Sequence, residues 1–285
     1  MPLDPRFLST AIEVVVQAGS LQMAHFGKND VRIDKKGTID LVTEVDMAVE
    51  RMFRKLIAER FPDHQVLAEE LGGSAGVPQG PCWVFDPLDG TTNYVHGLPI
   101  FCASLALEID GVPEVGAVFD PTRQELFTAE RGRGASLNGR PLGVSSTESL
   151  VDAVLVTGFP YDVHERVDEF VGLFAAFVGQ ARAVRRLGSA AIDLCYVAAG
   201  RMDGFWETDL KPWDVAAGAL IVSESGGRMT RTDAGPFASR SGDVLATNGR
   251  LHDQMLEVIR SFRARRSAVS SRRSAVDSQQ SAVDS

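Results

Sequence analysis

Residues 82–93, Cys-Trp-Val-Phe-Asp-Pro-Leu-Asp-Gly-Thr-Thr-Asn, bring two carboxylates to the end of an apolar run. The run at 82–85 predicts a buried strand, because consecutive apolar residues lead directly into a turn that contains Pro87. Asp86 and Asp89 lie three residues apart across that turn, so their side chains can converge on one point. Carboxylate oxygens are the ligands that hard cations such as Mg²⁺ prefer. The segment therefore predicts a metal site at the end of a strand.

The next three residues, Gly90, Thr91 and Thr92, predict an anion-binding turn. Glycine lets the backbone approach a ligand closely, and the two threonines offer hydroxyl groups and the free N–H groups of a helix start. Because cation ligands and anion donors are adjacent, the motif indicates metal-dependent phosphate chemistry.

The composition is that of an ordinary globular protein with an acidic body. Of 285 residues, 44% are hydrophobic and 24% are charged, and the net charge is −9. Residues 260–285 contain six Arg and two Asp, so this segment carries +4 and residues 1–259 carry −13. An acidic body argues against nucleic acid as a partner. A small phosphorylated metabolite is compatible with it when divalent cations neutralise the site.

Cysteine usage and hydropathy predict a soluble protein of a reducing compartment. Cys82, Cys102 and Cys195 are too scattered for a disulfide framework or a Cys-x-x-Cys metal site, and we expect them to be buried. No apolar stretch is expected to approach the length of about 20 residues that spans a bilayer. Residues 1–6 lack the basic-then-apolar order of a signal peptide. We therefore expect a cytoplasmic protein with no membrane partner.

Periodicity divides residues 5–262 into helices and short strands without a linker. Helices are predicted at 7–26, 43–61, 163–178, 190–199, 213–223 and from 251, and strands at 66–68, 82–85, 101–109, 115–119, 125–129, 154–157, 204–207 and 243–247. Thr43 and Asp46 fit a capping box at the start of the second helix. Alternation from 101 to 109, followed by an Asp-Gly turn, predicts an antiparallel or mixed sheet. The expected fold is one compact α/β unit of stacked layers.

Residues 263–285 form a different kind of segment. Ser-Ala-Val recurs at 267, 274 and 281 without an apolar heptad seam, and Ser, Arg, Gln and Asp dominate. This composition predicts a disordered tail after a single catalytic domain at residues 1–262. An anionic partner for the Arg cluster is an alternative to a passive solvated tail, which we favour.

Three further carboxylates are candidates because of their places in the predicted elements. Asp214 is in the first turn of a predicted helix, where the helix dipole keeps a carboxylate ionised. Taken alone, it is better interpreted as a simple helix N-terminal acid, and Glu69 and Glu70 as part of a solvated loop. Together with Asp86 and Asp89 they could hold two divalent ions about 4 Å apart, which would activate a water and stabilise a leaving oxygen.

Two long signatures resemble the inositol monophosphatase family of metal-dependent, lithium-sensitive phosphatases. The first is residues 83–94, Trp-Val-Phe-Asp-Pro-Leu-Asp-Gly-Thr-Thr-Asn-Tyr, and the second is residues 211–218, Lys-Pro-Trp-Asp-Val-Ala-Ala-Gly. The resemblance extends over about residues 7–259, which is nearly all of the chain except the tail. It implies an αβαβα sandwich with mixed or antiparallel sheets, usually assembled as a homodimer.

The resemblance also implies a metal role for individual residues. Glu69, Asp86 and Asp89, with the main-chain carbonyl of Leu88, would bind a first Mg²⁺. Asp86, Asp89 and Asp214 would bind a second.

For catalysis the resemblance implies that water is the nucleophile. Thr91, oriented through Asp46, would position or deprotonate that water. Glu70 and Asp40 would help to hold a weaker third ion through water. The residues themselves agree, since no Cys or His has a convincing setting as a nucleophile, and His96 is better interpreted as structural.

Substrate contacts follow from the same resemblance. The residues assigned to substrate are the N–H donors Gly90 and Thr91 for phosphate oxygens and, for the alcohol, Glu207, Gly188, Ser189 and Ala190. Lys36 would add positive charge near the site, although Lys35 competes for that alignment.

The sequence therefore predicts a Mg²⁺-dependent phosphomonoesterase acting on inositol 1-phosphate or similar small polyol phosphates. Relatives on the same scaffold hydrolyse histidinol phosphate, fructose 1,6-bisphosphate or 3′-phosphoadenosine phosphates, and the metal signatures do not separate these substrates. A non-catalytic regulatory protein on this fold is a further alternative. Such a protein would be expected to lack a metal ligand. This sequence has all four of the expected carboxylate ligands, which are Glu69, Asp86, Asp89 and Asp214.

Overall fold

The computed structural model describes residues 3–28, 33–35, 41–73 and 76–283, with their side chains except at 35, 41, 42 and 269–283. Its α-helices are α1 (Arg6–His25), α2 (Glu44–Arg60), α3 (Thr91–Val95), α4 (Val167–Val178), α5 (Ala190–Ala198), α6 (Pro212–Glu224) and α7 (His252–Val283). Its strands are β1 (Ile33–Lys35), β2 (Leu41–Thr43), β3 (Gln65–Ala68), β4 (Gly72–Gly73), β5 (Pro81–Asp89), β6 (Cys102–Ile109), β7 (Val112–Asp120), β8 (Glu125–Glu130), β9 (Gly134–Leu137), β10 (Arg140–Pro141), β11 (Val154–Thr157), β12 (Ala183–Arg185), β13 (Gly204–Thr208), β14 (Arg228–Thr230) and β15 (Asp243–Thr247).

Two large sheets organise the described part of the chain. The larger has the strand order β10-β9-β8-β7-β6-β5-β3-β4 and is antiparallel except where β3 pairs with β5. The smaller has the order β12-β11-β13-β15-β14, and β11 is parallel to both of its neighbours. β1 and β2 form a separate antiparallel pair. Both large sheets are mixed, as the alternating segments predict.

Helices separate these two sheets and cover their outer faces. α1 and α2 pack on the outside of the larger sheet, α5 and α6 lie between the sheets, and α4 and α7 cover the smaller sheet. Three clusters of buried apolar side chains correspond to these layers. The αβαβα sandwich is therefore confirmed.

The middle helix α6 is surrounded by protein, and its small residues allow this. Val215, Ala216, Ala217 and Gly218 are all buried. On β7, a Cβ at Gly116 would lie 3.0 Å from the Ala217 carbonyl oxygen, which is closer than ordinary van der Waals contact. Because Gly116 has no side chain, α6 can pack closely against the larger sheet.

Helix α1 is long and apolar enough to cross a membrane by length and composition alone, with a mean hydropathy of 1.2 over 18 residues. The expectation that no stretch of the sequence reaches this length is therefore wrong. In the fold, α1 packs on β6 and β7, and Ala11, Val14, Val15 and Ala18 are fully buried. A core helix of this kind meets the same criteria, so packing accounts for its composition.

Helix α7 continues through residues 263–283, for which the composition predicts disorder. Arg263 Nη2 donates to Thr232 Oγ1 at 2.6 Å, and Arg266 forms an ion pair of 2.8 Å with Glu169. These contacts attach the first turn beyond residue 262 to the body of the protein. A solvated tail stays our prediction for the residues that follow that turn.

Candidate active site

A cavity of about 800 Å³ opens where β5, α5 and α6 meet. Its wall contains most of the residues singled out in the sequence: Glu69, Asp86, Leu88, Asp89, Gly90, Thr91, Gly188, Ser189, Ala190, Glu207 and Asp214. Glu69 follows β3, and Asp86 and Asp89 lie at the end of β5. Asp214 is in the first turn of α6. The fold thus brings carboxylates from the larger sheet and from the middle helix layer into one cavity.

Hydrogen bonds orient Asp86 and Asp89. The Leu88 N–H donates to Asp86 Oδ1 at 2.9 Å. Asp89 Oδ2 accepts from the Ser189 hydroxyl at 2.6 Å and from the Ala191 N–H at 2.8 Å. Both carboxylates are therefore held in fixed directions by donors from the motif and from the start of α5.

Asp214 is oriented by the chain at the start of its own helix, where the Lys211 N–H donates to Asp214 Oδ2 at 2.6 Å. Among the described residues, the hydrogen bonds to Asp86, Asp89 and Asp214 each reach a single carboxylate oxygen. The other oxygen of each aspartate is then available to bind a cation.

Burial and mutual repulsion disfavour the ionised forms of these carboxylates. Burial, reinforced by neighbouring carboxylates, raises the pKa of Asp86 and of Asp214 well above the usual range. Burial also raises the pKa of Asp89 to about 6. In the described part of the chain no three His, Cys, Asp or Glu side chains are close enough to hold a metal as they stand. A divalent cation would offset both penalties, so this set of oxygen donors fits Mg²⁺.

Thr91 and Asp46 form a hydrogen-bonded pair beside the carboxylates. Thr91 Oγ1 lies 2.9 Å from the Leu88 carbonyl oxygen and 3.5 Å from Asp46 Oδ1. The other Asp46 oxygen accepts from the N–H of Thr43, at 2.9 Å, and from its hydroxyl, in the capping box that begins α2. Burial raises the pKa of Asp46 to about 6 despite these hydrogen bonds. Asp46 is thus a base whose strength suits neutral pH.

Gly90 makes the turn between β5 and α3. Its φ is +93°, which favours glycine, and a Cβ here would lie 2.8 Å from the Ile100 carbonyl oxygen. Because α3 begins at Thr91, the N–H groups at this turn have no acceptor within the helix. Their assignment to the oxygens of a phosphate stays a prediction that this geometry allows.

Asn93 joins the motif to the segment that begins α5. Its Nδ2 donates to the Leu187 carbonyl oxygen at 2.8 Å, just before Gly188. Ser189 is the N-cap of α5, and its hydroxyl donates to Asp89. The Ser189 side chain, which the resemblance assigns to substrate, therefore also positions a candidate metal ligand.

Some predicted residues lie away from this wall. Glu70 adjoins the cavity residue Glu69 but is not itself part of the described wall. Asp40 and Lys36 lie outside the described residues, as does the side chain of Lys35. The roles assigned to them stay predictions.

Glu50 supports the site from behind the cavity wall, and no signal in the sequence points to it. It is fully buried on α2. Its carboxylate accepts from the Glu70 N–H at 2.7 Å and from the Leu71 N–H at 3.0 Å, and Arg54 forms an ion pair with it at 2.8 Å. Glu50 therefore fixes the turn that carries Glu69.

Glu50→Gln should raise the Mg²⁺ concentration needed for half-maximal activity by about tenfold, since losing the partners that orient a metal ligand typically weakens binding that much. The reason is geometric, because a glutamine amide can no longer accept with both of its terminal atoms. The value of kcat at saturating Mg²⁺ should change less. Calorimetric titration with Mg²⁺ measures the affinity directly.

Glu59→Gln is the matched control for this variant, because Glu59 is exposed on the same helix. It should leave the Mg²⁺ requirement unchanged. An equally unchanged requirement in Glu50→Gln would show that Glu50 does not set the position of the turn.

In metal-free protein, the melting temperature should fall as the pH rises from about 5 to about 8. Burial raises the pKa of Asp46 and of Asp89 to about 6, and that of Glu207 to about 8. Over this range the folded protein holds more protons than the unfolded chain, whose carboxyl groups have their ordinary lower pKa values. Stability is then lost as the pH passes through the folded pKa values. Thermal unfolding in EDTA at stepped pH measures the trend.

Mg²⁺ should raise the melting temperature more at the upper end of this pH range than at the lower end, because it binds the ionised carboxylates. Glu207→Gln should flatten the upper part of the metal-free curve. A melting temperature that rises with pH in EDTA would contradict the direction of these pKa shifts.

The chain is similar to known proteins over most of its length. The model of the Inositol monophosphatase family matches residues 4–264. An inositol-1-monophosphatase of Synechocystis sp. is 45% identical over 254 residues, covering 89% of this chain and 88% of its own length. Nus factor SuhB of Pseudomonas aeruginosa is 42% identical over 257 residues, covering 88% of this chain and 95% of its own.

Solved structures share the fold. The inositol monophosphatase from Anabaena (Nostoc) sp. has a TM-score of 0.82 at 41% identity, over 90% of this chain and 96% of that one. An IMPase/NADP phosphatase complexed with Mg²⁺ and phosphate has a TM-score of 0.75 at 26% identity, over 88% of this chain and 92% of that one.

Proposed function

Because the chain belongs to the inositol monophosphatase family, we propose that it is a Mg²⁺-dependent phosphomonoesterase acting on inositol 1-phosphate or a similar small polyol phosphate. Family membership supports a phosphatase, and the cation and the substrate are our inference. The observation that carries the proposal is the convergence of Glu69, Asp86, Asp89 and Asp214 in one cavity with Thr91. The IMPase/NADP phosphatase that shares the fold was solved with Mg²⁺ and phosphate, which supports the choice of cation.

Glu69, Asp86, Asp89 and Asp214, with the Leu88 carbonyl oxygen, would hold the cations. When bound, Mg²⁺ supplies positive charge to the phosphate oxygens and lowers the pKa of a water molecule.

The remaining residues orient the reactants and move a proton. The N–H groups at Gly90 and Thr91 hold the phosphate in line with the attacking water. Thr91 Oγ1 accepts a hydrogen bond or a proton from that water. The Thr91 hydroxyl can in turn donate its own proton to Asp46 Oδ1, which lies 3.5 Å away. Near neutral pH the Asp46 carboxyl, with its pKa raised to about 6 by burial, can take up the proton. No phosphoenzyme is required.

Phosphate release from a panel of esters tests this proposal. Activity should require Mg²⁺, disappear in EDTA and return when Mg²⁺ is restored, and inositol 1-phosphate should rank high by kcat/KM. Activity that survives full chelation would exclude the mechanism. A strong preference for histidinol phosphate or fructose 1,6-bisphosphate would overturn the substrate assignment and leave the phosphatase in place.

A second candidate is a binding role without catalysis, because relatives such as the Pseudomonas aeruginosa protein are named Nus factor SuhB. The complete set of carboxylates favours catalysis, since a protein that only binds has no need of it. Phosphate release above the background of Asp89→Asn protein separates the two candidates.

Oligomeric state and location are part of the same proposal. The family resemblance leads us to expect a homodimer in the cytoplasm that is inhibited by lithium. Light scattering of the purified protein should give the mass of two chains, and a monomer would contradict the expectation.

A further inference from the structure

Asp193 is a buried carboxyl group in the cavity wall that belongs to neither signature of the sequence. It lies in α5 and is 1% exposed. Within the described residues, its Oδ1 atom has no hydrogen-bond partner. A buried carboxyl oxygen without a partner is destabilising unless a further group bonds to it. Its position in the cavity makes a ligand the natural partner.

Glu207 shares this part of the cavity, and its carboxylate packs against Gly158. It is 9% exposed on β13. At Gly158, which follows β11, a Cβ would lie 2.1 Å from one Glu207 carboxylate oxygen and 2.2 Å from the other. Glycine at this position therefore leaves the space that the Glu207 carboxylate fills. Any side chain there would displace Glu207.

The charges around these two groups limit what they can bind. Burial raises the pKa of both groups, and the negative charge of Glu207 adds to the rise at Asp193. The positive charge of Arg186 opposes the rise at both groups, so all three interact. Two carboxyl groups balanced by one guanidinium disfavour a second phosphate. A hydroxyl group suits them because it both donates and accepts hydrogen bonds.

We propose that Asp193 is a specificity-determining residue that, together with Glu207, binds neighbouring hydroxyl groups on the alcohol of a polyol phosphate. This inference rests on the phosphatase function proposed above. Glu207 is expected at the alcohol from the family resemblance, whereas Asp193 is assigned here from its burial, its unpartnered oxygen and its place in the wall.

Asp193→Leu and Asp193→Asn test the assignment with two substrates that differ in hydroxyl groups. KM for inositol 1-phosphate should rise by about tenfold or more in Asp193→Leu, because a hydroxyl loses its buried partner. KM and kcat for p-nitrophenyl phosphate, which has no hydroxyl on its alcohol, should stay unchanged. Asp193→Asn keeps a donor and an acceptor and should show a smaller rise.

Thermal unfolding separates a binding role from a purely structural one, because the loss of a structural contact would lower the melting temperature. Both variants should melt at the same temperature as the wild type or higher, because a buried carboxyl group with an unpartnered oxygen has been removed. Asp168→Leu is the matched control, since Asp168 is an exposed aspartate in the first turn of α4. Asp168→Leu should change KM and kcat for neither substrate.

The other outcomes overturn the inference. An equal loss with both substrates, together with a lower melting temperature, assigns Asp193 to structure, and no change with either substrate removes it from the site. A larger loss of activity with histidinol phosphate than with inositol 1-phosphate would mean that Asp193 binds the positively charged amino group of a substrate and not a hydroxyl group. Wild-type protein that hydrolyses neither inositol 1-phosphate nor p-nitrophenyl phosphate with Mg²⁺ overturns the proposed function and this inference together. Active wild type, with an Asp193→Leu variant that loses activity equally on both substrates, overturns this inference alone.

Discussion

Asp89→Asn should lower kcat by about 10³-fold or more while the protein stays folded, comparable to or larger than the loss of a transition-state donor. Asp89 Oδ2 already accepts from Ser189 and Ala191, so one oxygen remains for the cations. In the amide, either the NH₂ group faces these two donors or it faces the cations. The first orientation sets the NH₂ group against two donors, and the second turns a group that cannot bind a cation towards the metals. Both replace a charged ligand that the proposed site needs twice with a neutral group.

Phosphate release across a Mg²⁺ titration and thermal unfolding in EDTA measure the two parts of this expectation. The melting temperature of metal-free Asp89→Asn should not fall far, because the exchange also removes a repelling buried charge. Asp253→Asn is the matched control, since Asp253 is an exposed aspartate of α7 paired with Arg228. Near wild-type activity of Asp89→Asn at saturating Mg²⁺ would refute the assigned metal role.

Thr91→Val should lower kcat by about 10²–10⁴-fold, the usual contribution of a group that transfers or orients a proton. Valine keeps the shape of threonine but cannot bond to water, to the Leu88 carbonyl oxygen or to Asp46. The backbone N–H groups at the turn stay in place, so KM should change much less than kcat.

Thr91→Ser separates the hydroxyl group from the side-chain shape. It should retain most of the activity, because the serine hydroxyl can make the same bonds. Steady-state kinetics of the two variants with one substrate make the comparison. Equal activity of Thr91→Val and wild type would mean that the water is activated without this hydroxyl.

The parts of the site that are local in sequence could be predicted. The strand and the helix start of residues 82–93 carry their own signals, and the capping box of Thr43 and Asp46 is present as predicted. The turn predicted at Pro87 is instead a register shift within β5, which continues to Asp89. The helix of Asp214 begins one residue earlier than predicted, at Pro212. In each case neighbouring residues determine the local conformation.

The parts that depend on distant contacts could not be predicted. Glu50 bonds to main-chain N–H groups about twenty positions away, and in the sequence it is one more acid on a surface-like helix. Asp193 is likewise an ordinary helix residue until the fold encloses it. The strands β12 and β14 have three residues each, too few to show a period, and they form because the sheet supplies partners. The predicted helix at 163–178 begins instead as a separate short turn, and α4 starts at Val167.

The carboxylates of the cavity come from different layers of the sandwich. Asp86 and Asp89 end a strand of the larger sheet, and Asp214 begins the helix that follows β13 of the smaller one. A cation held by all three would crosslink these layers, and because the unfolded chain has no such site, its binding energy adds to the stability of the folded state. The ion that serves the reaction would then also slow unfolding. The supply of Mg²⁺ would set how long each molecule survives proteolysis as well as how fast it works.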